Sequence, residues 1–199
     1  MLLRTLVTLL FLAPFCAAQT EDQMNTLVHD LVARLKSPDG VRQYAMPEFT
    51  WEITDKTEVN SYAHFAARKI ELNKALVQAF YNAPGELAFM IAHEIGHLQD
   101  VACWERWGKE GLKGTALQRK CEASADQVGM QYLLAAGFSW YDAAGAMGRL
   151  LMSRPDVNSV TAIVFGRFTS THPVSIDRIK QLAEYARQTC EDRPEVCER

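Results

Sequence analysis

The sequence lacks a basic tract, and beyond its first 18 residues it also lacks a long apolar run. The formal net charge is only −3, and no cluster of Lys and Arg alternates with aromatic residues. This composition argues against nucleic acid as a partner. No later stretch of 18 or more residues is apolar, so we expect no transmembrane segment after the leader. Internal repeats and low-complexity linkers are also missing, which favours a single domain.

The first 18 residues, MLLRTLVTLLFLAPFCAA, have the pattern of a secretory signal peptide. An early cation precedes an apolar stretch, and Cys16 and Ala18 occupy the −3 and −1 positions of a cut after Ala18. A lipoprotein anchor at Cys16 is the alternative, although Phe15 is unfavourable immediately before a lipidated cysteine. We therefore expect an exported protein with a signal peptide at 1–18 and one domain at 19–199.

Four cysteines follow the leader, namely Cys103, Cys121, Cys190 and Cys197. An even number in an exported chain suggests two disulfides, for which three pairings exist. We favour Cys103–Cys121, which would tie the end of one predicted helix to the start of the next. The second bond would then be Cys190–Cys197, a local clip on the C-terminal tail. Four buried or free thiols are the alternative.

The apolar periodicity predicts a mostly helical domain with a small sheet, which is an α+β fold. Helices are predicted at 23–35, 76–81, 86–100, 119–136, 140–152 and 176–187. Strands are predicted at 49–54 and 69–72. Segment 153–170 fits either a lid beside a cleft or a packed segment with a short strand at 160–165.

The most informative motif is H-E-I-G-H at 93–97, inside the apolar segment 86–100. Residues four apart share a helix face and lie about 6 Å apart, so His93 and His97 can bind one metal ion. Glu94 projects roughly 80° from their mean direction, where it can act as a base without being a ligand. The apolar stripe lies about 140° from the histidines, which predicts an amphipathic helix. The motif is typical of zinc hydrolases.

A catalytic zinc ion needs a third protein ligand and an open position. The segment C-E-A-S-A-D of the next predicted helix places Glu122 and Asp126 on one face. Glu122 is the candidate third ligand. Asp126 can accept the second N–H of a liganding histidine, which fixes its tautomer. A pair of acidic residues on one face is usually only solvated, but the preceding H-E-I-G-H helix favours a metal site.

Three segments together resemble the signatures of one gluzincin family of zinc metallopeptidases. They are H-E-I-G-H, E-A-S-A-D-Q-V-G and S-T-H-P-V-S-I-D-R-I. The family contains the HtpX-type heat-shock proteases, the type 1 CAAX prenyl proteases and their soluble periplasmic relatives. The similarity extends from about residue 59 to residue 182, and it implies a zincin-like metallopeptidase domain.

The resemblance also implies roles for the residues of the first two segments. One Zn²⁺ per chain would be bound by His93, His97 and Glu122. Glu94 would be the general base, and Asp126 would support a liganding histidine from behind.

The third segment is implied to complete the catalytic site. His172 would face the substrate carbonyl, and Arg178 would hold that region or the substrate. Both side chains could stabilise negative charge that develops during hydrolysis. Without the resemblance, His172 and Pro173 would indicate only a turn at a helix start.

Two features differ from the family pattern. Only 24 residues separate His97 from Glu122, whereas many members have a long and sometimes membrane-embedded insertion there. Residues 60–63, NSYA, fit the start of the edge-strand signature of the family, but no pair of glycines follows. The short connection argues against substrates that are reached from within a bilayer.

These observations predict an exported zinc metalloendopeptidase, for which the bacterial periplasm is the best-fitting compartment. Its substrates would be proteins or peptides, including misfolded envelope proteins in quality control. The alternative is an envelope protein with a latent zinc site that binds misfolded partners with little turnover. In that case segment 108–114 or 153–170 would cover the zinc. A non-peptidase zinc hydrolase is a further alternative, without a motif of its own.

Overall fold

The computed structural model describes residues 19–36, 47–100, 102, 103, 105, 116–152 and 176–197. The first half contains α1 (Glu21–Lys36), β1 (Thr50–Thr54), β2 (Ser61–His64), β3 (Lys69–Asn73), α2 (Lys74–Phe80) and α3 (Pro84–Gln99). The second half contains α4 (Ala116–Ala135), α5 (Trp140–Met152), α6 (Ile176–Asp192) and a short 3₁₀ helix (Pro194–Val196). The prediction of a mostly helical α+β fold with a small sheet is confirmed. In the described part of the chain, no helix is long and apolar enough to cross a membrane.

The predicted helices are all present; the helix at 140–152 has the predicted ends, and the other five have shifted ends. The largest shift is in α6, which continues beyond the predicted residue 187 to Asp192. The reason is packing, because Thr189 is buried and Cys190 packs against the core. The predicted lid or strand at 153–170 lies outside the described residues.

The sheet has the strand order β1-β3-β2, with β1 parallel and β2 antiparallel to β3. Ile70 and Leu72 of β3 are fully buried, and they lie opposite Ala63 and Ser61 of β2. Apolar alternation did not predict β2, because its inward positions carry these two small side chains. The match of residues 60–63 to the edge-strand signature was the only sequence indication of this strand.

Helix α3 lies at the centre of the molecule and packs against α1, α2, α4, α5, β2 and β3. Every residue from 87 to 98 is buried, including the residues of the H-E-I-G-H motif. The prediction of an amphipathic helix was therefore wrong. Neighbouring elements cover every side of α3, so its polar side chains face other buried groups instead of solvent.

Two glycines let α3 and α4 approach each other closely. A Cβ atom at Gly96 would lie 2.5 Å from the carbonyl oxygen of Ala125. A Cβ atom at Gly129 would lie 3.0 Å from the backbone nitrogen of His93. Because a side chain at either position would push the helices apart, the glycines set the distance between the two polar motifs.

Both predicted disulfides are present. Cys103 and Cys121 are bonded with their Cα atoms 5.6 Å apart, which ties the chain after α3 to α4. Cys190 and Cys197 are bonded with their Cα atoms 5.6 Å apart, which clips the tail to α6. The first bond ends at the residue immediately before Glu122, so it reaches the polar region between α3 and α4.

Candidate active site

The histidines of H-E-I-G-H lie one turn apart on α3, and their ring centroids are 4.5 Å apart. Glu122 of α4 faces both rings. Its Oε2 lies 3.4 Å from Nε2 of His93, and its Oε1 lies 3.5 Å from Nε2 of His97. The ligand atoms of these three buried side chains all lie within 4.8 Å of one another. The structure therefore brings the three predicted metal ligands together into a group that could hold a metal ion.

Asp126 lies one turn beyond Glu122 on α4 and is fully buried. Its Oδ1 is 2.9 Å from Nδ1 of His93, on the opposite side of the ring from Glu122. With a carboxylate oxygen this close, a neutral His93 is favoured as the tautomer that carries its proton on Nδ1. The lone pair of Nε2 then points toward the other candidate ligands.

The guanidinium of Arg178 on α6 donates two hydrogen bonds to the carboxylate of Asp126. Its Nε lies 2.8 Å from Oδ2 of Asp126, and its Nη2 lies 2.6 Å from Oδ1. The remaining nitrogen, Nη1, is 3.1 Å from Oε2 of Glu122. Arg178 is only 7% exposed, so it lies behind the candidate ligands and not on an open surface. Burial raises the pKa of Asp126, but Arg178 and His93 outweigh burial and hold it below its ordinary value.

The two histidines differ in proton affinity. Burial lowers the pKa of His93, but hydrogen bonds to Asp126 and Glu122 outweigh burial and raise it to about 10. Burial also lowers the pKa of His97, and the neighbouring charge of His93 lowers it further. The acidic side chains of Asp126 and Glu122 therefore favour positive charge at this site, and they do so most strongly at His93.

The donor set and its charge fit a divalent metal ion. Glu94, Glu122 and Asp126 are all buried, and Arg178 is the only buried Lys or Arg among the described residues. When ionised, these groups carry two more negative than positive charges, and buried charges without partners are strongly unfavourable. A divalent cation would neutralise that excess. Two imidazoles and one carboxylate are also the ligand set of many catalytic zinc sites.

Glu94 lies beside this group without joining it. Its Oε1 accepts a 2.8 Å hydrogen bond from the hydroxyl of Ser61 on β2, and both residues are fully buried. Sequence reasoning did not identify Ser61 as a site residue. The available signal was a polar side chain at an inward position of a strand, which pattern analysis cannot recognise until the strand itself is known.

The predicted catalytic residues are only partly described. Glu94 and Arg178 lie within the site as given above, whereas His172 lies outside the described residues.

The sequence model of peptidase family M48 matches residues 18–106 and 109–186. This match includes all the candidate site residues, from Ser61 to Arg178. No curated protein sequence matches the chain significantly.

Proposed function

This chain belongs to peptidase family M48, and we propose that it is a zinc-dependent endopeptidase that cleaves exported proteins. Family membership supports a metallopeptidase, and therefore protein substrates. The observation that carries the proposal further is the meeting of His93, His97 and Glu122 around one point, with Asp126 held behind His93. This arrangement provides three ligands and supports the orientation of one of them.

In the proposed site, His93 and His97 would hold Zn²⁺ through Nε2, and Glu122 would hold it through its carboxylate. When bound, zinc supplies a Lewis acid that lowers the pKa of water and polarises a carbonyl group. Asp126 fixes the tautomer of His93, and Arg178 fixes Asp126 through two hydrogen bonds.

The protein groups then carry out the proton transfers. Glu94 accepts a proton from the water that attacks the scissile carbonyl and donates it to the leaving amine. His172 is proposed to face the developing oxyanion. Arg178 is proposed to act as a positioning residue, because its three nitrogens already face Asp126 and Glu122.

Glu94→Gln tests the proposal most directly. The amide cannot accept the proton, so we expect proteolysis to fall by about 10²–10⁴-fold while zinc remains bound. The assay measures fragments released from unfolded exported proteins, with and without a chelator, together with zinc content by elemental analysis. Glu86→Gln is the matched control, because Glu86 lies on the same helix but pairs with Arg149 outside the site.

The outcomes separate the proposal from its rival. Loss of cleavage in Glu94→Gln and in the chelated protein supports the endopeptidase. Full cleavage by Glu94→Gln would contradict the role of this residue. Suppression of aggregation that survives Glu94→Gln, without fragments from the native protein, would instead favour the latent-site binding protein.

We also propose that the chain is an exported member of the group containing HtpX-type and type 1 CAAX prenyl proteases. The leader-like residues 1–18 support export, and the two disulfides support an oxidising compartment. The proposed location is the bacterial periplasm, with misfolded envelope proteins as substrates and residues 19–199 as one metallopeptidase domain. Mass determination of the mature N-terminus tests cleavage after Ala18 against lipid attachment at Cys16.

A further inference from the structure

We propose that Ser61 is a positioning residue for catalysis, which holds one oxygen of Glu94 so that the other is presented for proton transfer. The inference rests on the proposed function, because it assumes that Glu94 is the general base. It adds a residue from the sheet to a site whose other described residues belong to α3, α4 and α6.

Ser61 is buried on the core side of the sheet, where a polar side chain needs a partner. Ser61 is the only fully buried residue of β2, and it lies opposite Leu72 on the core side of the sheet. The other inward positions of β2 and β3 are apolar, namely Ala63, Ile70 and Leu72. A buried hydroxyl without a hydrogen bond is unfavourable, and alanine would occupy this position as well for packing alone. The contact with Glu94 accounts for a serine at this position.

Ser61 contacts one of the two carboxylate oxygens of Glu94. The hydroxyl of Ser61 donates to Oε1 of Glu94 at 2.8 Å, across 33 residues of sequence. Hydrogen bonds from a neutral donor to a carboxylate are stronger than neutral ones. Because only one oxygen is engaged by Ser61, this bond makes the two oxygens of the carboxylate inequivalent.

Ser61 is held more rigidly than Glu94. A glutamate side chain has three rotatable torsions, whereas a serine side chain has one, so Ser61 is the stiffer partner. The backbone beneath it is also fixed, because the N–H of Asn73 on β3 donates to the carbonyl oxygen of Asn60 at 3.1 Å. The sheet therefore supports the orientation of a side chain that belongs to a helix. Groups that transfer protons lose rate steeply when they are displaced by a fraction of an ångström.

Ser61→Ala tests the proposal, with Tyr62→Phe as the matched control. Tyr62 is the next residue of β2, and its hydroxyl lies 3.2 Å from Glu58 instead of the site. We expect Ser61→Ala to lower kcat by about tenfold, because a hydrogen bond to a charged group is lost. KM, zinc content and the visible spectrum of the cobalt-substituted protein are expected to remain as in the native protein. Tyr62→Phe is expected to retain native kcat.

A second variant keeps the test independent of folding. Ser61→Thr retains the hydroxyl and suits a strand, so its kcat is expected to exceed that of Ser61→Ala. Equal kcat values for the two variants would overturn the proposal. A fall of zinc content or melting temperature in parallel with kcat would also overturn it, because the hydroxyl would then act through stability.

The failure of this inference differs from the failure of the proposed function. If Glu94→Gln is inactive while Ser61→Ala has native kcat, only the role of Ser61 is overturned. If Glu94→Gln is fully active, Glu94 is not the base, and both are overturned.

Discussion

In the part of the chain that the structure describes, buried carboxylates lie in two places, and the two places differ in how their charge is balanced. On the outer side of the sheet, Glu71 of β3 contacts Lys56, and its Oε2 lies 3.1 Å from Nε2 of His64. Between α3, α4 and α6, three buried carboxylates share one buried guanidinium, that of Arg178. The charge of Glu71 is balanced by its own neighbours. The charge of the three buried carboxylates is balanced only when a further cation is present.

This difference shows how to distinguish a structural cluster from a metal centre. The side chains that contact Glu71 are half-exposed, with 54% and 42% of the Lys56 and His64 side chains accessible to solvent. Water and mobile side chains can therefore adjust to the charge of Glu71. No such adjustment is open to Glu122, because the groups around it are buried. A surplus of buried negative charge, more than the presence of acidic residues, indicates the metal centre.

The largest expected effect comes from replacing one carboxylate in each cluster by an amide. Glu122→Gln removes a charged ligand, so we expect metal affinity to fall by more than about 100-fold and proteolysis to be lost. Glu71→Gln is expected to keep native metal affinity and activity. Competition with a chromophoric chelator measures both affinities. Tight binding of one zinc by Glu122→Gln would move the third ligand elsewhere and remove the distinction between the clusters.

A smaller effect is expected when the cation of each cluster is removed. Arg178→Met leaves Asp126 and Glu122 without their buried guanidinium, which costs about 3–5 kcal/mol of unfolding free energy. Lys56→Met is expected to change stability much less, because the charge it removes is already solvated. Urea denaturation of the metal-free proteins measures the difference. Equal destabilisation by the two substitutions would show that burial does not separate the clusters.

The smallest effect concerns the stability that Glu71 provides. Burial raises the pKa of Glu71, but contacts with Lys56 and His64 outweigh burial and hold it below the ordinary value of 4.5. The ionised form therefore stabilises the fold above pH 4.5, and this contribution is lost as the pH falls through the folded pKa.

Glu71→Gln is accordingly expected to cost about 1–3 kcal/mol at neutral pH. The difference from the native protein should shrink on acidification below pH 4.5. Denaturation of the metal-free proteins over a pH series checks this. A difference that is constant with pH would mean that the charge of Glu71 is not what stabilises the sheet.

The parts of the site that the sequence predicts are those set by local geometry. His93 and His97 could be paired because helical spacing alone places them on one face. The same spacing related Glu122 to Asp126, but their approach to the histidines depends on the close contact at Gly96 and Gly129. The family signatures predicted that these two carboxylates lie beside the histidines, but they did not indicate that the two glycines make this approach possible.

Contacts made by the strands were not predictable in the same way. The partner of Ser61 is 33 residues away, and that of Lys56 is 15 residues away, so both depend on how the sheet docks and pairs. The small inward side chains of β2 also leave no apolar alternation to detect. The two hydrogen bonds from Arg178 to Asp126 join residues that are 52 positions apart, and they depend on the packing of α6 against α4.

The disulfide between Cys103 and Cys121 changes how the metal ligands are linked to one another. Along the backbone, 24 residues separate His97 from Glu122. Through the disulfide, the path crosses only residues 98–102 before the bridge and then meets Glu122 directly after Cys121. Before the disulfide forms, His93 and His97 are two neighbouring donors and Glu122 is a distant third. Oxidation of the two cysteines links all three through a short tether, as in a tridentate chelator. The shorter tether raises the effective concentration of the third donor even before the helices have packed.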